Sequence, residues 1–390
     1  MRRSLAALLL VASACSSSSS SSTTLTVVSQ NLYLGGDIFS IAEAASPEEA
    51  AVATFLVWSD VQATNFPARA KVLAAGIAAQ NPDVIGLQEV AIWRTGAPVV
   101  CLGDFDAINE PVASTVVYDF LASLQTELLA LGLQYDVAAL TQSFDAELCA
   151  VNPLVGPASA IDVRYTDRDV ILVRKGLSTR HPDGGTYATM VEFPISGTGV
   201  SIPDRRAWNM VEVSKNGSWF RVFETHLEVQ EIPTPPPIPG FIFQLGQAGE
   251  LIASKVNMAI ALDPIPTILV GDMNTQAEQP VTSPLRFTYN FLTGLIPFPD
   301  LGVPEFTPLV GVRSPFADAW LFANPGQPGL TWGFNGDLLA GTMSQRIDFV
   351  LTWGAGPWTM TTFGATAVTA TTPPLHASDH LGVSAQLQLP

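Results

Sequence analysis

Basic residues are scarce in this sequence. It has 18 Lys and Arg against 35 Asp and Glu among 390 residues, which gives a formal net charge of −17. Removal of a leader containing Arg2 and Arg3 would change this balance to 16 − 35 = −19. Proteins that bind nucleic acids normally present a basic face, because phosphate contacts supply much of their affinity. The composition therefore argues against a nucleic-acid partner, although a local basic groove is compatible with an acidic total.

Histidine is also rare. The four histidines lie at positions 181, 226, 376 and 380. A zinc site needs clustered His or Cys ligands, and these positions lack the close spacing of such ligands. We therefore do not expect zinc, and we expect His181, beside a Pro-Asp-Gly-Gly turn, and His376 to lie at the surface.

The first fifteen residues are typical of an export signal. Two arginines precede the apolar run 5–12, which is too short to span a bilayer, and Ser13-Ala14-Cys15 follows. Small residues before a cysteine resemble a bacterial lipoprotein signal, although Ala12 stands where Leu is preferred. We expect a signal peptide over 1–15 with lipidation at Cys15, simple secretion being the alternative.

The signal predicts where the protein resides. It would be an exported protein, either a lipoprotein of the bacterial cell envelope or a secreted one. Residues 16–24, which are Ser and Thr, would form a flexible tether. An exported compartment permits disulfides. Because Cys101 and Cys149 flank one predicted insertion, we predict that they pair, with two buried thiols as the alternative.

Several apolar runs end on a polar residue. Residues 267–270 have the composition of a strand buried on both faces, and they stop at Gly271 before Asp272 and Asn274. Similar runs lead to or surround polar residues at five further places: Asn31 after 25–30, Glu89 after 84–88, His226 after 219–223, Asp348 within 346–351, and Ser378-Asp379-His380 before 381–389. Strand ends fix side chains while the loops beyond leave room for a substrate.

Helix signals separate these strands. Ser46 and Pro47 predict a helix start, and Asn81-Pro82 ends a second helix over about 67–80. Further helices are predicted over about 118–131 and 241–262, with a β-hairpin over 207–224 and a loop-rich insertion over 92–118. The proline-rich run 233–239 is predicted to be a rim loop near the site. Two sheets packed face to face with helices outside account for this order.

Six of these stretches, in order, resemble motifs of the endonuclease/exonuclease/phosphatase superfamily, which includes deoxyribonuclease I-like nucleases and neutral sphingomyelinases. They are SQNLYLGGD (29–37), LQE (87–89), THL (225–227), GDMN (271–274), RIDFVL (346–351) and SDH (378–380). With their strands they span 25–389. The resemblance implies an α/β (α+β) four-layer sandwich of two mixed sheets, which we expect as one domain over 25–390, and it implies a metal-dependent phosphoric ester hydrolase.

The resemblance also implies roles. Asn31, Glu89 and Asp379 would bind a metal, which hard oxygen ligands indicate to be Mg²⁺ or Mn²⁺. His380, held by Asp348, would be the general acid or base. Asp272 would orient or deprotonate water. Asn274 would bind phosphate or water, and His226 would donate to a phosphate oxygen.

Each of these residues also has a structural alternative. Glu89 would cap a loop, Asp348 would pair with Arg346, and Asn274 would form a turn. His226 and His380 would be ordinary strand-end and loop histidines. Arg205 and Arg206 are expected to be salt-bridged or solvated rather than part of the site. The tyrosine that nuclease members place near the phosphate is not located, Tyr135 and Tyr165 being candidates by order only.

The sequence predicts an exported phosphoesterase that hydrolyses a phosphodiester by direct attack of water. Acidity and export favour a lipid head group or another small phosphate ester, with an apolar rim formed by 241–243 or 292–299. A secreted nuclease is the alternative. A cell-surface binding protein that has lost catalysis is a less favoured one. No protein partner is implied.

Overall fold

The computed structural model describes residues 23–232 and 239–388. The predicted leader with Cys15, most of the tether, and 233–238 of the predicted rim loop lie outside these residues. The strands are β1 (Thr24–Asn31), β2 (Val84–Gln88), β3 (Ile92–Gly96), β4 (Thr115–Asp119), β5 (Tyr135–Ala150), β6 (Ile161–Arg174), β7 (Ser178–Thr186), β8 (Val191–Ile195), β9 (Val200–Asp204), β10 (Ala207–Lys215), β11 (Ser218–His226), β12 (Thr267–Asp272), β13 (Ala317–Asp318), β14 (Trp332–Phe334), β15 (Gly341–Gln345), β16 (Asp348–Trp353), β17 (Gly356–Phe363) and β18 (Gly382–Gln388).

The helices lie between these strands. They are α1 (Phe39–Ala42), α2 (Pro47–Ala63), α3 (Phe66–Gln80), α4 (Phe120–Ala130), α5 (Phe241–Leu251), α6 (Asn257–Leu262), α7 (Phe287–Leu292) and α8 (Ala319–Ala323). The predicted start of α2 is confirmed, because the Ser46 side chain accepts a hydrogen bond from the Glu49 N–H. A π-helical turn, Ile252–Val256, joins α5 to α6. None of the described helices is long and apolar enough to cross a membrane.

The strands form two mixed sheets. The first has the order β17-β18-β1-β2-β6-β3-β4, with β5 also paired to β6, and the second has the order β13-β16-β12-β11-β10-β7. Each sheet contains one parallel pair at its centre, β1 with β2 and β11 with β12. The hairpin of β10 and β11 is confirmed.

The sheets pack face to face through an apolar layer. Val27, Ile171, Val222 and Val270 belong to this buried cluster. The sheets approach closely at Gly86, where a Cβ atom would lie 2.6 Å from Val270 Cγ2. A larger residue at this position would push the sheets apart.

Helices cover the outer faces of both sheets. Residues of α2, α3 and α4 pack on the first sheet, and residues of α5 and α7 pack on the second. The fold is thus the predicted α/β sandwich, with helices outside two sheets. Predicted rim residues Leu292 and Phe298 are buried in the outer core of the second sheet, so they pack the core rather than border a site.

Two regions differ from the sequence prediction. The insertion over 92–118 begins and ends in strands, since β3 pairs with both β4 and β6. A separate two-stranded sheet, β8 with β9, was not predicted. Pro194 and Pro203 lie within its strands and weaken the sequence pattern of a strand.

Candidate active site

The strand order brings the polar strand ends to one edge of the sandwich. Asn31 ends β1, and Glu89 follows β2, which runs parallel to it. In the second sheet Asp272 lies opposite both His226 and Asp348, because β12 is parallel to β11 and antiparallel to β16. Carboxyl ends of parallel strands and amino ends of their antiparallel neighbours share one edge, so the six predicted motifs converge there.

This edge borders a cleft of about 600 Å³. Six of the eight predicted metal and catalytic residues line it: Glu89, His226, Asp272, Asn274, Asp379 and His380. The other two, Asn31 and Asp348, are buried behind the cleft wall and hydrogen-bond to the residues that line it. The structure therefore assembles all eight at one place.

His380 and Asp348 form a buried pair. His380 Nδ1 lies 2.9 Å from Asp348 Oδ2, and His380 Nε2 lies 3.7 Å from Asp272 Oδ2. Burial by itself lowers the pKa of His380, but the carboxylates of Asp348, Asp379 and Asp272 raise it well above its ordinary value. The imidazole is thus held as a cation whose Nε2–H faces the acids of the cleft.

Asp272 lies at the centre of the site. Its Oδ2 accepts from Asn31 Nδ2 at 3.1 Å, and its Oδ1 accepts from the backbone N–H of Asn274 at 2.9 Å. Burial and the neighbouring Asp348 raise the pKa of Asp272 to about 7. A carboxylate with this pKa exchanges a proton readily near neutral pH.

Glu89 is held in an unusual backbone conformation. Its φ is +53°, in the left-handed region that non-glycine residues seldom occupy. Its side chain accepts from Asn31 Nδ2 at 2.9 Å and from the Leu34 N–H at 2.6 Å. Asn274, with φ of +50°, has the same kind of backbone. Such conformations are costly and cluster at functional sites.

The acids of the cleft form a hard oxygen site suited to a divalent cation. Burial raises the pKa of Asp379 to about 6, with a further contribution from the charge of Glu89. A cation near Glu89 and Asp379 would relieve that repulsion. The Asn31 amide nitrogen points to Glu89 and Asp272, while its Oδ1 accepts the Tyr33 N–H, so here Asn31 orients the acids.

His226 accepts hydrogen bonds in this arrangement. Its Nε2 lies 3.1 Å from Asn274 Nδ2 and 3.4 Å from Arg206 Nη1, and both of these atoms are donors. Burial and the charge of Arg206 lower the pKa of His226 well below its ordinary value, so the ring is neutral. Nε2 then carries the lone pair. The predicted donor role towards phosphate requires the other tautomer.

Arg206 lines the cleft, although the sequence did not predict it to be part of the site. Its guanidinium is salt-bridged as expected, to Glu228 at 3.0 Å and to Asp204 at 3.6 Å. The same group lies beside His226, so it also adds positive charge within the cleft. The sequence indicated this role of Arg206 only weakly, because two basic residues before a strand are common.

Arg69 is a second functional residue that the sequence did not indicate. It is fully buried on α3 and donates to four carbonyl oxygens: Thr64 at 2.9 Å, Leu32 at 2.7 Å, Tyr33 at 2.9 Å and Ala377 at 3.0 Å. Three of these carbonyls belong to the loop after Asn31 and the loop before Asp379, and that of Thr64 follows α2. Arg69 therefore ties the loop whose Leu34 N–H binds Glu89 to the loop that carries Asp379.

The remaining residues considered in the sequence lie as follows. His181 is exposed, whereas His376 is half-buried and stacks on Phe334, so the prediction of a surface position is wrong for His376. Tyr165 lines the cleft, but the Tyr135 hydroxyl donates to the Pro82 carbonyl, away from it. Cys101 and Cys149 are joined by a disulfide.

Comparison with protein families and solved structures agrees with this geometry. The family model described as Endonuclease/Exonuclease/phosphatase family matches residues 53–380. No curated protein is significantly similar to this chain.

Solved structures share the fold at low sequence identity. An endonuclease/exonuclease/phosphatase family protein from Bacteroides thetaiotaomicron has 14% identity and a TM-score of 0.51, covering 95% of this chain and 99% of its own. A mannosyl-6-phosphatase from the same organism has 14% identity and a TM-score of 0.51, covering 93% and 99%. A truncated TDP2 from Caenorhabditis elegans has 18% identity and a TM-score of 0.48, covering 94% and 97%.

The family assignment rests on the match over most of the chain. Members of this family are phosphoesterases and nucleases that commonly depend on divalent metal ions, and the clustered acids of the cleft suit such an ion. The chain belongs to the endonuclease/exonuclease/phosphatase family and is a phosphoric ester hydrolase.

Proposed function

We propose that this protein is an exported, Mg²⁺-dependent phosphodiesterase that acts on a lipid head group or another small phosphate ester. The observation that carries the proposal is the buried Asp348–His380 pair, whose Nε2 lies 3.7 Å from Asp272 Oδ2 in an acid-lined cleft. The predicted leader and the disulfide, which forms in oxidising compartments, support export.

Glu89 and Asp379 would hold the metal, with Asn31 orienting them from behind. Mg²⁺, when bound, would neutralise charge on the phosphate and on the leaving oxygen. Mn²⁺ suits the same oxygen ligands. No zinc is proposed, because the hard oxygen donors of Glu89 and Asp379 favour Mg²⁺ or Mn²⁺.

The side chains have separate tasks in the reaction. Asp272, ionised, would orient a water and accept its proton as it attacks phosphorus. His380, as a cation, would donate from Nε2 to a phosphate or leaving oxygen, and Asp348 would hold the ring in this orientation. Arg206 would offer an N–H group to the phosphate. The Asn274 amide nitrogen already donates to His226 Nε2 and to the Leu227 carbonyl, so Asn274 would contact the attacking water through Oδ1.

Direct attack by water is supported by the composition of the cleft. Its described lining residues include no Ser, Thr or Cys that would serve as a covalent nucleophile. Tyr33 and Tyr165 also line it, but burial raises the pKa of both hydroxyls well above the usual range. The tyrosines are therefore un-ionised and poor nucleophiles.

The charge of the cleft favours small esters over nucleic acid. Arg206 is the one Lys or Arg among the described lining residues, whereas seven acids line the same cleft: Asp37, Glu89, Asp167, Asp204, Glu231, Asp272 and Asp379. A duplex would meet repulsion here outside the metal position. A secreted nuclease remains the second hypothesis. A binding protein without catalysis is disfavoured because all eight site residues are present together.

A substrate panel tests the proposal. Bis-p-nitrophenyl phosphate, sphingomyelin and plasmid DNA are compared with Mg²⁺ and with EDTA, for wild type and His380→Ala. We expect hydrolysis of at least one small or lipid ester that is lost with EDTA and in the variant. Hydrolysis of DNA alone, with a steep decrease in rate as salt rises, would instead support the nuclease.

A further inference from the structure

A second cavity adjoins the catalytic cleft. It has a volume of about 60 Å³, and Ile38, Phe39, Phe144, Tyr165 and Asp204 line both spaces. We refer to this smaller space as the annex. Because the same five residues form the boundary, a substrate whose phosphate lies in the cleft would reach the annex with one of its ester groups.

The annex is almost entirely apolar. Phe193, Ile195 and Ile202 of the β8–β9 sheet form one wall. Among the described lining residues, Thr54, Tyr165 and Asp204 are the ones with polar side-chain groups besides the indole of Trp93. The Thr54 hydroxyl donates to the Ala50 carbonyl, and Trp93 Nε1 donates to the Leu34 carbonyl. A sugar or a base would therefore lose hydrogen bonds to water here without regaining them.

Tyr165 forms part of the boundary between the annex and the cleft. Its ring stacks on Trp93 with centroids 4.6 Å apart, which fixes its position. Its hydroxyl is buried within the protein, so the ring rather than the hydroxyl lines the two spaces. The boundary is therefore apolar on this side.

We propose that the annex binds a short alkyl ester group of the substrate. The proposal rests on the proposed function, which places the phosphate in the cleft. A space of about 10–15 Å³ holds one water, so the annex holds roughly four to six groups of that size. A chain of a few carbons fits, and a long acyl chain does not lie wholly within it.

Alkyl p-nitrophenyl phosphates test the proposal, because the leaving group is the same throughout the series. The methyl, ethyl, propyl and butyl esters are compared by kcat/KM in the presence of Mg²⁺. Burial of each methylene is expected to raise kcat/KM by about two- to fourfold. Equal values for the methyl and butyl esters in the wild type would overturn the proposal.

Variants that fill the annex distinguish binding of the alkyl group in the annex from a general effect of substrate hydrophobicity. Ala146→Leu places extra carbons in the annex. If this variant does not fold, Ala42→Leu fills the annex from a half-buried position of its wall. Either variant is expected to lose the increase from methyl to butyl. Ala188→Leu is the matched control, because Ala188 lines a separate cavity that shares no described wall residue with the annex or with the cleft. A chain-length dependence that survives filling would contradict the proposal.

Binding measurements test the proposed role of the annex even if no ester is hydrolysed. Calorimetry with methylphosphonate and butylphosphonate is expected to show tighter binding of the butyl compound in wild type and Ala188→Leu, but not in Ala146→Leu. Absence of hydrolysis with this pattern would refute the proposed function alone. Equal affinities of the two phosphonates in the wild type would refute the proposal that the annex binds an alkyl group.

Discussion

At the residue scale, catalysis depends on how Asp348 controls His380. Asp348 raises the pKa of His380, so the wild type keeps the cationic acid at neutral pH and loses it only as pH rises through the raised pKa. Asp348→Asn removes this charge. We expect kcat/KM to fall by about 10²–10⁴-fold and the alkaline limb of its pH profile to move to lower pH. An unchanged alkaline limb would show that His380 is not the acid.

Arg69 allows a second prediction at this scale. Arg69→Lys keeps the charge, but one ammonium group cannot reach the four carbonyls that the guanidinium binds. Unsatisfied buried carbonyls should destabilise the fold by about 2–5 kcal/mol, and the loop after Asn31 and the loop that carries Asp379 should loosen.

Urea denaturation and Mg²⁺ titration measure these two effects. Arg174→Lys is the control, because two nitrogens of Arg174 also donate to a backbone carbonyl, that of Pro82, but Arg174 lies at the end of β6 and does not line the cleft. A variant that loses stability and retains full Mg²⁺ affinity would mean that Arg69 supports only the fold.

The sequence indicated the residues of the cleft that lie in recognisable motifs. Each of them ends or begins a strand, so the pattern of apolar runs located them without knowledge of strand pairing. Arg206, Tyr165 and Asp167 could not be located in this way. They lie on or beside β6 and β10, and only the pairing of these strands within two packed sheets turns them towards the cleft.

At the element scale, the disulfide ties the insertion after β3 to β5. Cys101 lies in a 3₁₀ helix and Cys149 in β5, 48 residues apart. Replacing both with Ala should lower the free energy of unfolding by about 2–4 kcal/mol, because the unfolded chain gains freedom. The site lies elsewhere, so kcat/KM should change little at temperatures where the variant is folded. A stability equal to that of the wild type would contradict this.

Elements with local end signals were predictable, and those defined by distant pairing were not. Ser46 and Asn81 mark the limits of α2 and α3 by their own side chains and backbone. Strands β3 and β4 have no such signal; β3 forms because it pairs with β6, and β4 in turn pairs with β3. β8 and β9 carry proline and pair only with each other.

At the scale of the whole molecule, buried acids make stability depend on pH. Burial raises the pKa of Glu224 to about 8, and burial together with neighbouring charges raises that of Asp167 to about 7. The folded state then binds more protons than the unfolded state between about pH 4 and pH 8. Stability of the metal-free protein should therefore fall as pH rises through this range.

Thermal unfolding in EDTA between pH 5 and pH 8.5 measures this dependence. Glu224→Gln should flatten it, because Gln carries no ionisable proton at this buried position. Glu231→Gln, at an exposed position, is the control and should leave the dependence unchanged. A Tm that rises steadily from pH 5 to pH 8.5 would contradict the account.

The sequence predicts the four layers, because strands and helices alternate in it. It does not predict the position of one sheet relative to the other. The sheets approach closely at Gly86, and Asp272 lies opposite His226 and Asp348. Both features depend on the register in which the strands pair and the sheets pack. Register depends on packing between residues more than a hundred positions apart. The sequence therefore predicted which residues belong to the site, and the structure supplies their distances and charges.

The most direct test of the central claim is hydrolysis of bis-p-nitrophenyl phosphate as Mg²⁺ is titrated into metal-free wild type and Glu89→Gln, with Mg²⁺ binding measured in parallel by calorimetry. The account predicts that wild-type activity appears with Mg²⁺ occupancy and disappears with EDTA. It predicts that Glu89→Gln binds Mg²⁺ at least tenfold more weakly and loses activity to match. Full activity in EDTA, or unchanged Mg²⁺ affinity in the variant, would contradict it.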